Sequence, residues 1–308
     1  MKSNLLLILV IISLYSCKSD KKEPIIEPEP IIVEDTISAV EIDSIPVLVE
    51  DSIPVIEEVE ENKTQEKVPD TKPKTPKIAE NFLIESDIKI SPIEHGTLVI
   101  SYNNYQIYID PVGGSEAFKG YGPPNFILIT DIHGDHLNVE TIEAIKTANT
   151  IIIGPKAVKE KLPTSLHANF TTLFSGLSRG FSTSKMSLDI EGVAMYNVRE
   201  EAKHFHPKGR GLGYILNING KRIYVSGDTE DTFEMRHLKN IDIALICMNL
   251  PYTMPVESAA SAVLEFKPKK VLPYHYRGTD GLSDVNRFKT LVNNGNSRIK
   301  VVQLQWYN

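Results

Sequence analysis

The sequence predicts a layered α/β domain over residues 83–308, and three observations predict it. Short runs rich in β-branched residues are separated by turn residues. In the second half such runs alternate with helical patterns, a combination that packs as helices on sheets. All 18 glycines, all eight histidines and every aromatic residue except Tyr15 and Phe82 lie beyond residue 94, so that is where a core can form. Across the 308 residues, an apolar fraction of 41% is enough for one.

The elements follow in order. Asp87–Ser91, Thr97–Ser101 and Gln106–Ile109 read as strands, with Asn103-Asn104 as a turn. Asn125–Thr130 (NFILIT) is an apolar run that suits a buried strand. Asn138 caps a helix expected over Val139–Ala148, and Thr150–Ile153 is the next strand. Leu188–Asn197 and Gly213–Ile218 are strands, and Asn219-Gly220 turns the chain into a strand over Arg222–Val225. Ile241–Cys247 is strand-like, Val256–Phe266 helical and Lys270–Pro273 a strand. A helix over Val285–Asn293 and a strand over Ile299–Leu304 complete the domain.

The N-terminal part has another character. One lysine precedes a run from Leu5 to Tyr15 that is apolar except for Ser13, too short to span a bilayer and of the length of a signal-peptide core. It ends in Leu14-Tyr15-Ser16-Cys17, which resembles a bacterial lipobox. That resemblance implies cleavage after residue 16, lipid on Cys17, and a bacterial cell-envelope location, periplasmic or surface-exposed. Residues 17–82 read as an acidic, proline-rich tether. Between residues 18 and 80 stand eight prolines and 17 acidic against 8 basic residues, a net of −9. The whole chain carries −7 and its first 17 residues +1, which leaves the domain near +1. A weak octad repeat (Asp35-Thr36-Ile37, Asp43-Ser44-Ile45, Asp51-Ser52-Ile53) leaves a partner-binding strip as the alternative to a plain spacer.

The net charge argues against a nucleic-acid partner, which favours basic faces, and two cysteines give no disulfide scaffold. Gly209–Gly213 (GRGLG) lacks the strand-to-helix setting of a nucleotide loop. The informative stretch is Thr130-Asp131-Ile132-His133-Gly134-Asp135-His136, which sets two imidazoles and two carboxylates on one loop after a buried strand. These are natural ligands for Zn, Mn or Fe, and a loop can turn several toward one point.

This stretch resembles the first metal motif, H-x-H-x-D-H, of the metallo-β-lactamase superfamily, with Asp131 where the first histidine is expected. Tyr108-Ile109-Asp110-Pro111, Ser226-Gly227-Asp228-Thr229 and Pro273-Tyr274-His275-Tyr276 resemble further motifs in the family's order. IDPVGG, HPKGRGLGY, SGDTED and VLPYHYRG resemble the branch near the ascorbate-phosphate lactonases. The resemblance implies an αββα four-layer sandwich and one or two divalent ions, Zn with Mn or Fe as alternatives.

It also implies a ligand set. One ion takes Asp131, His133, His206 and Asp228, and the other takes Asp135, His136, His275 and Asp228. Two points stay open: Asp131 either ligates or only orients His133, and His204 competes with His206. Asp135 is the candidate catalytic group. Lys208, Arg210, Tyr274 and Arg277 are candidate substrate contacts, set against roles as solvated cations or core. His95, Asp110 and Asn197 are candidate supporting groups. The function implied is a lipid-anchored hydrolase in which metal-activated water cleaves an ester, lactone or phosphodiester-type bond of a small molecule. The alternatives are a non-catalytic lipid-anchored binding protein with this fold and a true β-lactamase. A homo-oligomer is compatible with the sequence.

Overall fold

The computed structural model describes residues 81–307, so the expectations for the signal segment, Cys17 and the repeat lie outside the described residues. Asn81 and Phe82, expected in the tether, belong to the folded unit. Asn81 exchanges two hydrogen bonds with the backbone of Gln305, and the Lys89 ammonium lies 3.9 Å from the centre of the Phe82 ring.

Two seven-stranded sheets make up the domain. The first runs in chain order through β1 (Leu83–Glu85), β2 (Ile88–Glu94), β3 (Thr97–Tyr102), β4 (Tyr105–Ile109), β5 (Phe126–Leu128), β6 (Ile151–Gly154) and β7 (Phe170–Thr172). The second contains β8 (Ser178–Ser182), β9 (Ser187–Met195), β10 (Gly211–Ile218), β11 (Lys221–Val225), β12 (Ile243–Ile246), β13 (Lys270–Pro273) and β16 (Lys300–Val301). Its order is β16-β13-β12-β11-β10-β9-β8. A small hairpin, β14 (Arg277–Gly278) with β15 (Gly281–Leu282), precedes the last helix.

Side-chain alternation places the first sheet between two apolar layers. Leu98 and Ile100 of β3, Ile107 and Ile109 of β4, and Phe126 and Leu128 of β5 face the core shared with the second sheet. Val99, Tyr108 and Ile127, one residue out of phase, pack instead with Ile142 and Val158. These two residues come from α1 (Val139–Ile145) and α2 (Lys156–Lys161). A period of two on adjacent strands produces this two-sided burial. Over the second sheet lie α3 (Val256–Phe266) and α4 (Val285–Gly295), whose apolar faces bury Ala259, Val263, Phe288 and Val292. The layers are therefore helix, sheet, sheet, helix. No described helix is long and apolar enough to cross a membrane.

Several elements differ from expectation. Asn138 does cap α1, accepting from Thr141 N at 2.8 Å, but the helix ends at Ile145 and not at Ala148. There the Thr150 hydroxyl takes the Thr147 N–H at 2.9 Å, a local alternative to the helical bond. The last strand pairs only Lys300 and Val301 with β13. The short α2 follows Pro155, and the exposed edge strand β8 (SRGFS) has no apolar alternation to reveal it.

The parallel run β11–β12–β13 is clasped by Asp242. Its carboxylate accepts from Arg222 N at 2.9 Å and from Lys269 Nζ at 2.7 Å. Burial would raise this carboxyl's pKa, but those hydrogen bonds outweigh burial and hold it below the usual range. A depressed folded pKa contributes stability above the unfolded value that is lost as pH falls through the folded one. Asp242→Asn should therefore cost about 1 kcal/mol at pH 7. In urea melts the difference from wild type should shrink below about pH 4; an equal difference at pH 3 would contradict this account.

Candidate metal centre

The site forms where strand ends of both sheets meet. Asp110 follows β4, the Asp131–His136 loop follows β5, Asp228 follows β11 and His275 follows β13. In parallel α/β sheets the carboxyl ends of strands are the usual ligand-binding edge. Two bonds stitch the sheets together here: Leu212 N donates to Thr130 O at 2.9 Å, and the Tyr214 hydroxyl to Ile129 O at 2.5 Å. Two glycines make room. At Gly227 (φ 60°) a Cβ would stand 2.5 Å from Met195 Sδ, and at Gly96 2.9 Å from His275 Cδ2.

Asp110 is fully buried and sets the orientation of His136. One oxygen accepts from Thr130 N at 2.7 Å; the other takes the Thr130 hydroxyl at 2.6 Å and His136 Nδ1 at 2.7 Å. A carboxylate only accepts, so Nδ1 carries a proton and Nε2 is the ring atom turned to the site. That Nε2 lies 3.1 Å from His275 Nε2 and 3.4 Å from Asp228 Oδ2. His275 Nε2 is also 3.3 Å from Asp135 Oδ2, and His206 Nε2 is 3.3 Å from Asp228 Oδ2. His206 Nδ1–H donates to the Tyr252 carbonyl at 3.1 Å, which leaves Nε2 facing inward.

Burial would raise the Asp228 pKa, but the charges of His275 and His136 outweigh it and hold the carboxyl well below the usual range. Burial would lower that of His136, but Asp228 and Asp110 outweigh it and raise the imidazole well above its ordinary value.

This cluster fits a divalent ion. His206 Nε2 and Asp228 Oδ1 are buried without hydrogen-bond partners, and each is a natural ligand atom. His136, Asp228 and His275 offer ligand atoms within 4.8 Å of one another. The cluster opens on a cleft of about 300 Å³ lined by His95, His133, Asp135, Phe205, Tyr252 and Arg277, among others.

A family model described as a β-lactamase superfamily domain matches residues 105–276, which holds every candidate ligand. The chain belongs to the metallo-β-lactamase superfamily. A Parabacteroides distasonis structure described as a metal-dependent hydrolase is 36% identical, with a TM-score of 0.63 over 71% of this chain and 94% of that one. The "UPF0173 metal-dependent hydrolase" of Thermococcus onnurineus is 30% identical over 67% of this chain and 92% of its own length. A metallo hydrolase of Ignicoccus hospitalis, 20% identical, shares the fold, with a TM-score of 0.58 over 72% of this chain and 96% of that one.

Against the superfamily motifs, the structure brings Asp135, His136, His206, Asp228 and His275 together. His204 is exposed and lies against the Phe205 ring, so His206 is the one at the site. Asp131 and His133 lie alongside, but Asp131 is engaged by Arg210 through Nε at 3.0 Å and Nη2 at 2.8 Å. Arg210 is therefore a partner of Asp131 and not a free contact for substrate. Lys208 turns away from the cleft to Glu234 at 3.1 Å and lies over the Tyr196 ring. Tyr274 is wholly buried, and its hydroxyl accepts from Gly227 N at 2.8 Å, so it braces the Asp228 turn and does not meet the cleft. Asn197 donates to the carbonyls of Ala202 (2.9 Å) and Tyr252 (2.6 Å), tying together the loops that carry His206. Arg277 lines the cleft with its guanidinium 4.8 Å from the centre of the Tyr307 ring.

His95 has a definite part, set by a residue that sequence reasoning missed. The Tyr307 hydroxyl accepts from Tyr276 N (3.0 Å) and Arg277 N (3.1 Å), so its own proton goes to His95 Nδ1 at 2.8 Å. His95 Nε2 then faces Asp135 Oδ2 at 3.2 Å, placing an imidazole beside that carboxylate. No local sequence signal links Tyr307 to His95, 212 positions apart.

Asp110→Asn should weaken divalent-ion affinity about 10- to 100-fold, because an amide there can present a donor to His136 Nδ1. Competition against a chelating dye measures this, with thermal melts confirming the fold. Unchanged affinity would mean that Asp110 does not set the tautomer.

Proposed function

We propose that the chain is a metal-dependent hydrolase that uses this centre to cleave an ester, lactone or phosphodiester-type bond of a small molecule. The observation that carries the reading is the convergence of three imidazoles and two carboxylates on one cleft, with His206 Nε2 and Asp228 Oδ1 buried and unpartnered. The names of the relatives, several of them metal-dependent hydrolases, support it. The donors are nitrogen and oxygen only, which suits Zn, with Mn or Fe as alternatives. The one cysteine among the described residues, Cys247, is buried, and burial pushes its thiol up to about 12.

When bound, such an ion supplies Lewis acidity and lowers the pKa of a water from about 15.7 toward about 7. The chain's own residues supply the rest. Burial would raise the Asp135 pKa, but hydrogen bonds from His275 and His95 outweigh it and keep this group a carboxylate at neutral pH. Asp135 lies at the cleft wall with 40% of its side chain exposed, so it can accept a hydrogen bond from a nucleophilic water and orient it. Arg277 stands at the same wall, where a permanent cation suits an anionic substrate group. The expected Cys17 lipid would hold the domain at a membrane of the cell envelope, with the acidic segment as spacer.

The test is a screen of the chain, reconstituted with Zn or Mn, against phosphodiesters, lactones, thioesters and lactams. Turnover above a chelator-treated control is expected for at least one class. The double variant Asp135→Ala/His136→Ala should lose bound metal and at least about 100-fold in rate. Full activity in it would sink the mechanism, and a chain that takes up no transition metal would sink the function. For the address, Cys17→Ser should move the protein from the membrane fraction to the soluble one; continued membrane partitioning would refute lipid anchoring.

A further inference from the structure

Asp131 stands where the superfamily motif has a histidine, and the structure gives that carboxylate a permanent partner. The Arg210 fork meets both of its oxygens, with Nε 3.0 Å from Oδ1 and Nη2 2.8 Å from Oδ2. Arg210 also donates to the Phe205 carbonyl, which fixes the guanidinium from another side. His133 is drawn into the same unit. Its Nδ1 lies 2.9 Å from Asp131 Oδ2, and its Nε2 accepts from Arg210 Nη2 at 3.3 Å. Both ring nitrogens thus lie against the ion pair. The contrast with Asp228, on the side of His136 and His275, is sharp: its Oδ1 has no hydrogen-bond partner, whereas none of the orphaned atoms belongs to Asp131, His133 or Arg210, and the Nε2 of His206 faces Asp228 Oδ2 at 3.3 Å.

We propose that the centre holds a single divalent ion, on the side of Asp135, His136, Asp228 and His275, and that the Arg210–Asp131 ion pair replaces a second ion beside His133. The inference rests on the metal-dependent reading and fixes the ion count within it. Asp131, His133 and His206 do offer ligand atoms within 4.8 Å of one another, a spacing that by itself suits an ion. Charge argues against it. A guanidinium does not lose its proton in proteins, so it cannot step aside as an imidazolium can. Asp131 is wholly buried, and separating a buried carboxylate from its only fixed cation leaves both uncompensated. A second dication would have to displace the guanidinium or sit against it. The substitution of aspartate for histidine at position 131 and the arginine at position 210 therefore belong together: the carboxylate is there for the guanidinium.

Loading the full chain with Mn(II) tests this without reference to turnover. Elemental analysis after equilibrium dialysis should give one ion per chain, and the electron paramagnetic resonance spectrum should be that of isolated Mn(II). In Asp131→His/Arg210→Met, which restores the motif histidine and removes the cation, the ratio should rise toward two and the spectrum should show spin coupling. Should that variant fail to fold by circular dichroism, the wild-type ratio together with Arg210→Met alone decides, with uptake above one ion per chain expected in the latter. Two ions per wild-type chain would overturn this inference and leave the metal-dependent reading standing. A ratio that stays at one in a folded double variant would overturn it as well. No ion in the wild type would overturn both.

Discussion

Carboxylates buried together at the joint of two sheets repel one another and lose their hydration, so each must be given a positive or hydrogen-donating partner before the fold can close. Four acids in this region are almost wholly buried: Asp110, Asp131, Asp228 and Glu230. Two are matched by arginines, Asp131 by Arg210 and Glu230 by Arg199 at 2.6 Å. The other two are matched by imidazoles, Asp110 by His136 and Asp228 by His136, His206 and His275. The two kinds of partner have different consequences. An arginine is permanent and makes its acid part of the scaffold. An imidazole can exchange its proton for a metal ion, so its acid stays coupled to the centre, Asp228 as a candidate ligand and Asp110 through the ring it orients. The division between scaffold and centre follows from which cation each carboxylate was given.

Glu230 shows the scaffold case. It accepts from Val198 N at 2.8 Å and from Arg199 N at 2.7 Å, and so pins the segment after β9 beside the Gly227–Asp228 turn. Arg199 reaches on to the carbonyls of Pro251 and Thr253. The Tyr252 carbonyl between them holds His206 Nδ1. A buried acid that never meets the cleft thereby fixes the imidazole that does.

The sequence made the strands of the first sheet legible because Leu98-Val99-Ile100 and Phe126-Ile127-Leu128 are apolar on both faces and bounded by polar turns. It also showed the loop from Asp131 to His136, since four ligand residues within six positions are local information. What it could not show is pairing at a distance. Arg210 and Asp131 are 79 positions apart, and on its own Arg210 reads as one more solvated cation. Tyr274 reads as a cleft residue because it precedes His275, yet the turn after β13 sends the two side chains to different sides, one to Gly227 N and one to the centre. Adjacency in sequence says little about adjacency in space where the backbone leaves a strand.

That departure is itself abrupt. His95, Asp110 and His275 all adopt left-handed backbone conformations, with φ of 54°, 45° and 46°. Such residues cost of order 1–3 kcal/mol each and persist only where the surroundings over-determine them. Here they do: Tyr307 holds His95, the Thr130 backbone and hydroxyl hold Asp110, and Met248 N donates to the His275 carbonyl at 3.2 Å. An extended residue would continue the strand and carry its side chain past the joint. A left-handed one turns the chain within a single residue and delivers the imidazole or carboxylate across it. The strained backbone is thus the geometric cost of converging side chains from separate strand ends on one point, and the hydrogen bonds that sustain it keep the donors in place before any ion or substrate arrives.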